Sequence, residues 1–130
     1  MTAVLPEFST LLLERRGRLL VLTFNRPDAL NAVNLELHDE LPEALAFAGR
    51  DEGSDVVLLT GAGRAFSAGG DIAHMERNAA EPHRFDHEAR QAKRIVFALL
   101  DIEKPVVCRM NGHAVGLGAS IALLCDVIFA

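Results

Sequence analysis

Cysteine is scarce in this 130-residue chain, which has two. No Cys-x-x-Cys pair and no His/Cys cluster at metal-ligand spacing occurs, so neither a disulfide framework nor a structural metal site is expected. Cys108 and Cys125 lie in apolar stretches and read as buried thiols. No uncharged apolar run reaches the roughly 18 residues of a membrane helix. The N-terminal Met1-Thr-Ala-Val-Leu-Pro6 lacks a basic region and a long apolar core, so no secretory signal is expected and the expected compartment is the cytoplasm. Excess positive charge is missing as well. A net charge of −5 excludes nucleic-acid binding by bulk electrostatics, and an anionic substrate needs local basic groups. No Gly-Lys-Ser/Thr phosphate loop and no Gly-x-Ser-x-Gly nucleophile elbow is present. Ser67 and Ser120 have no histidine at a motif-defined distance, which removes the usual support for a serine nucleophile.

What is present is an apolar chain, half hydrophobic by residue count, that must bury a sizeable core in one domain or part of one. Residues 10–15 and 19–24 read as a β-hairpin turning at Arg16-Gly17, and Asn25-Arg-Pro-Asp28 punctuates it. Asn34 is placed to cap a helix with an apolar stripe of Leu37, Leu41, Ala44, Leu45 and Ala48; Pro42 is expected to kink or split it. A strand over 55–60 is apolar on both faces, as central parallel strands are. A short helix over 71–77, a break at Glu81-Pro82-His83, and a long helix follow. The long helix is expected to bury Phe85, Ala89, Ala92, Val96 and Leu99, with Arg84, Arg90, Lys93 and Arg94 on its wet side. Strands over 105–110 and 125–130 flank a helix over 119–124. The alternation predicts an α/β fold with a largely parallel sheet. Because the last residues read as a buried strand, the chain is expected to be the N-terminal part of a longer single domain.

The strands at 55–60 and 105–110 each run into a glycine loop. Residues 61–70 hold four glycines (Gly61, Gly63, Gly69, Gly70), and 111–118 hold Gly112, Gly116 and Gly118. Neither loop is a dinucleotide fingerprint, since Phe66 and Ile121 occupy the position where the third glycine of Gly-x-Gly-x-x-Gly permits close helix–strand packing. The acidic residue expected about twenty positions on falls at Glu81, in a proline-containing break. Two loops at one C-terminal sheet edge can instead each aim a backbone N–H at one oxygen, an oxyanion hole of main chain. Two tight turns needed only for packing account equally well for the spacing.

Four segments, Asn25-Arg-Pro-Asp-Ala-Leu-Asn-Ala32, Phe66-Ser-Ala-Gly-Gly-Asp-Ile72, Pro105-Val-Val-Cys-Arg-Met-Asn-Gly-His-Ala-Val-Gly-Leu-Gly118 and Cys125-Asp-Val-Ile-Phe-Ala130, together resemble the crotonase superfamily of enoyl-CoA hydratases and isomerases. The resemblance runs from about Thr10 to the end. It implies a crotonase-like ββα spiral that binds acyl-CoA thioesters and stabilises an enolate oxyanion with two backbone N–H groups, here those of Gly70 and Leu117. It implies coenzyme A contacts at Arg26, Ala29, Ala68, Gly70, Asp71, Ile72, Ala73 and Leu117, with coenzyme A part of the substrate and no further cofactor. Family members commonly form trimers and dimers of trimers.

One position departs from the family. The catalytic glutamate of typical hydratases matches Ser120, and the second carboxylate would lie beyond Ala130. A hydroxyl without a base is a poor proton carrier near neutral pH, so double-bond isomerisation, for which one carboxylate suffices, is favoured over hydration. Thioester hydrolysis, or a fragment inactive without a C-terminal half, are the alternatives. Asp71 is expected to hold its loop through side-chain to backbone hydrogen bonds, Arg26 to reach a phosphate or solvent, and His74 and His113 to be wall or surface residues.

Overall fold

The computed structural model describes residues 3–130, the side chain of His74 excepted. The hairpin forms from β1 (Leu11–Arg16) and β2 (Leu19–Phe24), paired antiparallel. Helix α1 (Leu35–Arg50) crosses to β3 (Val56–Gly61), which lies parallel to β2. Helices α2 (Ile72–Ala80) and α3 (Pro82–Leu100) lead to β4 (Val106–Arg109), and α4 (Leu117–Leu123) leads to β5 (Val127–Phe129). The sheet order β1-β2-β3-β4-β5 is the sequence order, parallel throughout after the hairpin. Every strand from β2 to β4 therefore ends at the same edge, where the glycine loops emerge.

Asn34 caps α1 as expected: its side-chain oxygen accepts from the Leu37 N–H at 3.0 Å. Leu37, Leu41, Ala44, Leu45 and Ala48 are all buried against the sheet. Pro42 does not split α1, which runs unbroken for 16 residues with Pro42 inside it. The lost hydrogen bond costs less than the apolar face on either side of it gains by burial. At the far end, Lys104 Nζ bonds the carbonyls of Ala48 (2.8 Å) and Asp51 (2.6 Å), closing off α1 with a positive charge.

Two expectations for α3 and β5 need correction. The buried residues of α3 are Gln91, Ile95 and Leu99. Phe85 is 63% exposed, and Ala89 faces outward. A hydrogen bond from Gln91 Nε2 to Asp39 of α1 (2.9 Å) satisfies the polar side chain and turns the helix. The break before α3 is one residue, because Pro82 sits comfortably in its first turn. Strand β5 has three residues, all exposed, and is an edge of the sheet.

Cys108 is buried and Cys125 half-buried, and both are free thiols. The Cys108 hydrogen bond, then burial, push the Cys125 thiol up. Among the described residues no helix is long and apolar enough to cross a membrane.

Asp51, just beyond α1, is clamped by Arg15 of β1 through two contacts, 2.7 Å and 3.1 Å. The Arg15 guanidinium holds this carboxyl well below the usual range against the opposing effect of burial, and bonds from Ser54 and Gly53 add to it. A depressed folded-state pKa means stability that is present above the ordinary value of 3.8 and lost as pH falls below it. Asp51→Asn is therefore expected to flatten the acid limb of the stability profile below about pH 4, measured as urea midpoint against pH. An unchanged acid limb would remove Asp51 from this role.

Candidate active site

The Asn25–Ala32 segment anchors the first glycine loop. Asn31 is buried; its side-chain NH2 donates to the carbonyls of Ala62 and Ala65, both at 2.9 Å, while its backbone carbonyl accepts from Ser67 Oγ at 2.8 Å. Asn111 holds the same loop from the second one, donating to the carbonyls of Gly63 (3.0 Å) and Ala65 (3.1 Å). Phe66 is fully buried and meets Phe24 edge-on, ring centres 5.2 Å apart. The residue that spoils the dinucleotide fingerprint thus pins the loop to β2.

The two loops pack backbone on backbone. Ser67 bridges Ala114 in parallel pairing, with Ser67 N–H donating to the His113 carbonyl and Val115 N–H to the Ser67 carbonyl, each at 3.0 Å. At Gly69, where φ is +82°, a Cβ would lie 2.5 Å from the Val115 carbonyl oxygen. Only glycine allows both this backbone conformation and this approach.

A second bridge fixes the direction of the Gly70 peptide. Val33 N–H donates to the Gly69 carbonyl (2.7 Å), and Asp71 N–H donates to the Val33 carbonyl (3.1 Å). In such a parallel bridge the intervening residue turns its own N–H and C=O to the opposite side. The Gly70 N–H is therefore not spent on Val33. Leu117 is the first residue of α4, where a helix leaves its N–H without an intrahelical partner.

Gly70 and Leu117 both line each of two cavities, together with Met75. One, of about 730 Å³, is walled by Ala29, Ala32, Ala68, Asp71, Ile72 and Ala73 on one side and Val115 and Gly116 on the other. The other, of about 670 Å³, is walled by α1, α2 and α3 through His38, Asn78, Ala79, Phe85, Asp86 and Glu88. The structure thus brings together Ala29, Ala68, Gly70, Asp71, Ile72, Ala73 and Leu117 around one space.

Arg26 stands apart. Its guanidinium donates to the Ala32 carbonyl and lies 3.5 Å from Asp71, and it is not part of either cavity wall. It braces the loop, with its side chain 22% exposed. Asp71 directly precedes α2 and is paired with that arginine. Ser120 is exposed, its Oγ turned back onto the Gly116 carbonyl at 3.3 Å, and it too lies outside both cavities. His113 is exposed; the side chain of His74 lies outside the described residues.

The sequence reading missed His38 and Glu88. They come from α1 and α3, with His38 Nε2 3.9 Å from Glu88 Oε1, and both side chains are nearly buried. Their separation of fifty positions hides the pairing; the only sequence signal is that Glu88 shares a helix face with Gln91 and Ile95. Among the described residues, no cluster of His, Cys, Asp and Glu could hold a metal ion.

The family description Enoyl-CoA hydratase/isomerase matches residues 14–130. The chain belongs to the enoyl-CoA hydratase/isomerase family. It is 39% identical over 127 residues to a short-chain-enoyl-CoA hydratase of Clostridium acetobutylicum, covering 95% of this chain and 47% of that protein. It is also 39% identical over 113 residues to the 1,2-epoxyphenylacetyl-CoA isomerase of Escherichia coli, covering 85% and 43%. The crystal structure of an enoyl-CoA hydratase/isomerase from Mycobacterium paratuberculosis superposes with a TM-score of 0.89 at 36% identity, covering 95% and 50%. The crotonase fold is thus the fold of this chain, which spans about half the length of the relatives it matches.

Proposed function

We propose that the protein is an acyl-CoA enzyme in which the N–H groups of Gly70 and Leu117 grip the thioester oxygen as it becomes an enolate. The observation that carries this reading is the position of those two residues at the junction of two cavities, with the Gly70 peptide turned away from its bridge partner. The cavity beside Ala29, Ala68 and Asp71–Ala73 takes the coenzyme A portion, and the one under α2 and α3 takes the acyl chain. Placing the thioester carbonyl at the junction puts charge development beside both residues.

The reaction we favour is a double-bond shift in an enoyl-CoA. Relatives at the same identity carry hydratase and isomerase names, so the family alone does not choose. Ser120 supports the double-bond shift: it offers no carboxylate where typical hydratases have one, and its hydroxyl is turned onto its own helix. No metal is required, and coenzyme A enters with the substrate. We place the enzyme in the cytoplasm and expect trimers or dimers of trimers in the full-length protein.

Acetyl-CoA at a hundred times its dissociation constant should stabilise the full-length protein by about 2.7 kcal/mol, read as a higher melting temperature. An unchanged melting curve at millimolar ligand would count against acyl-CoA binding altogether. 3-Hexenoyl-CoA should be isomerised much faster than crotonyl-CoA is hydrated; rapid hydration would overturn the isomerase reading and leave the oxyanion site standing.

A further inference from the structure

Ser120 faces away and the family's second carboxylate is expected beyond Ala130, so a proton carrier within the described residues must come from another element. Among the described residues, the titratable side chains in the wall of the acyl cavity are His38, Asp86 and Glu88. Asp71 belongs to the other cavity and is held by Arg26. Asp86 is exposed, whereas the Glu88 side chain is 14% exposed and has His38 Nε2 at 3.9 Å. A nearly buried carboxylate beside an imidazole is better placed than a solvated one to meet a carbon acid reproducibly.

The geometry points to Glu88 as the group that moves the proton in this enzyme, with His38 as the residue that positions it. The inference rests on the oxyanion reading, because the proton is labile only while the thioester oxygen is held. Glu88 takes the α-proton of a 3-enoyl thioester. The C–H pair becomes the new π bond to the carbonyl carbon, and the carbonyl π pair moves to oxygen, between the Gly70 and Leu117 N–H groups. The pair then returns from oxygen, the double bond shifts from β,γ to α,β, and Glu88 gives the same proton back at the γ-carbon. Nothing is consumed, and the carboxylate ends as it began. His38 faces the carboxylate with Nε2, so that nitrogen steers Glu88 and leaves the substrate to it.

The test uses the full-length enzyme with 3-hexenoyl-CoA, following isomerisation and the exchange of carbon-bound hydrogen in heavy water by mass spectrometry. Glu88→Gln should lower kcat by about 10²–10⁴-fold while acetyl-CoA binds within threefold of wild type. Glu88→Ala should regain activity when formate is added, which a purely structural role would not allow. His38→Gln should lower kcat with KM unchanged, and the double variant should be no worse than Glu88→Gln alone, as for groups acting as a unit. Retention of more than a third of wild-type kcat by Glu88→Gln, with acyl-CoA binding intact, overturns the assignment of Glu88 and leaves the oxyanion site untouched. Additive losses in the double variant overturn the role given to His38. Failure of the wild-type enzyme to bind acyl-CoA or to exchange hydrogen would instead remove the oxyanion reading and this inference with it.

Discussion

Leu117→Pro is expected to lower turnover by about 10²–10³-fold while leaving a folded protein. Proline deletes one N–H and nothing else from the backbone's donor set. At the first position of α4 that N–H supports no helical bond, and proline's fixed φ suits a helix start. The loss should therefore appear in kcat far more than in melting temperature. Leu117 also packs against the core, so some stability will go with its side chain. Leu117→Ala separates the two effects, since it trims the same side chain and keeps the donor. Gly70 offers the matching pair: Gly70→Pro removes the donor, whereas Gly70→Ala keeps it and asks only that the flexible end of Met75, 3.3 Å from the new Cβ, give way. Activity that survives both proline substitutions would end the oxyanion assignment.

Gly112→Ala is expected to destabilise the fold by about 3 kcal/mol or more, with soluble yield falling accordingly. A Cβ there would stand 1.9 Å from the Arg64 carbonyl oxygen and 2.9 Å from its carbon. Neither atom belongs to a movable side chain. The first loop is tied at Gly63 and Ala65 by Asn111 and at Phe66 by the His113 carbonyl, so it cannot retreat without breaking those bonds. The comparison is Gly17→Ala, where the new Cβ meets open space and the cost is confined to a φ of +60°. Urea midpoints for the two variants decide the matter. Equal small losses would mean that the loops do not need their close approach.

These contrasts also explain what the sequence made legible. Strand β2 and the Asn34 cap depend on near neighbours, and both lie where the hairpin turn and capping chemistry put them. The two glycine loops were legible because glycine is so particular in its uses. The buried face of α3 was not, since a glutamine satisfied by Asp39 across the helix pair outweighs an alanine-rich stripe that periodicity alone would choose. Pro42 reads as a breaker until the burial around it is known. Arg26 reads as a free cation until Asp71 and the Ala32 carbonyl are placed beside it. His38 and Glu88 lie on separate helices, and nothing short of the packing of α1 on α3 brings them together.

The pairing of Val33 with Gly70 sets a phase as well as a distance. Consecutive peptides along such a ladder point alternately toward and away from the partner strand, so sliding the loop by one residue would give the Gly70 hydrogen to Val33 and turn a neighbouring peptide away in its place. A substitution in the 61–70 stretch that clears its neighbours leaves that phase unchanged, whereas at Gly61 and Gly69 any Cβ meets backbone. Insertions and deletions there shift it, so the pairing with Val33 holds the length of that stretch as firmly as its glycines hold its path.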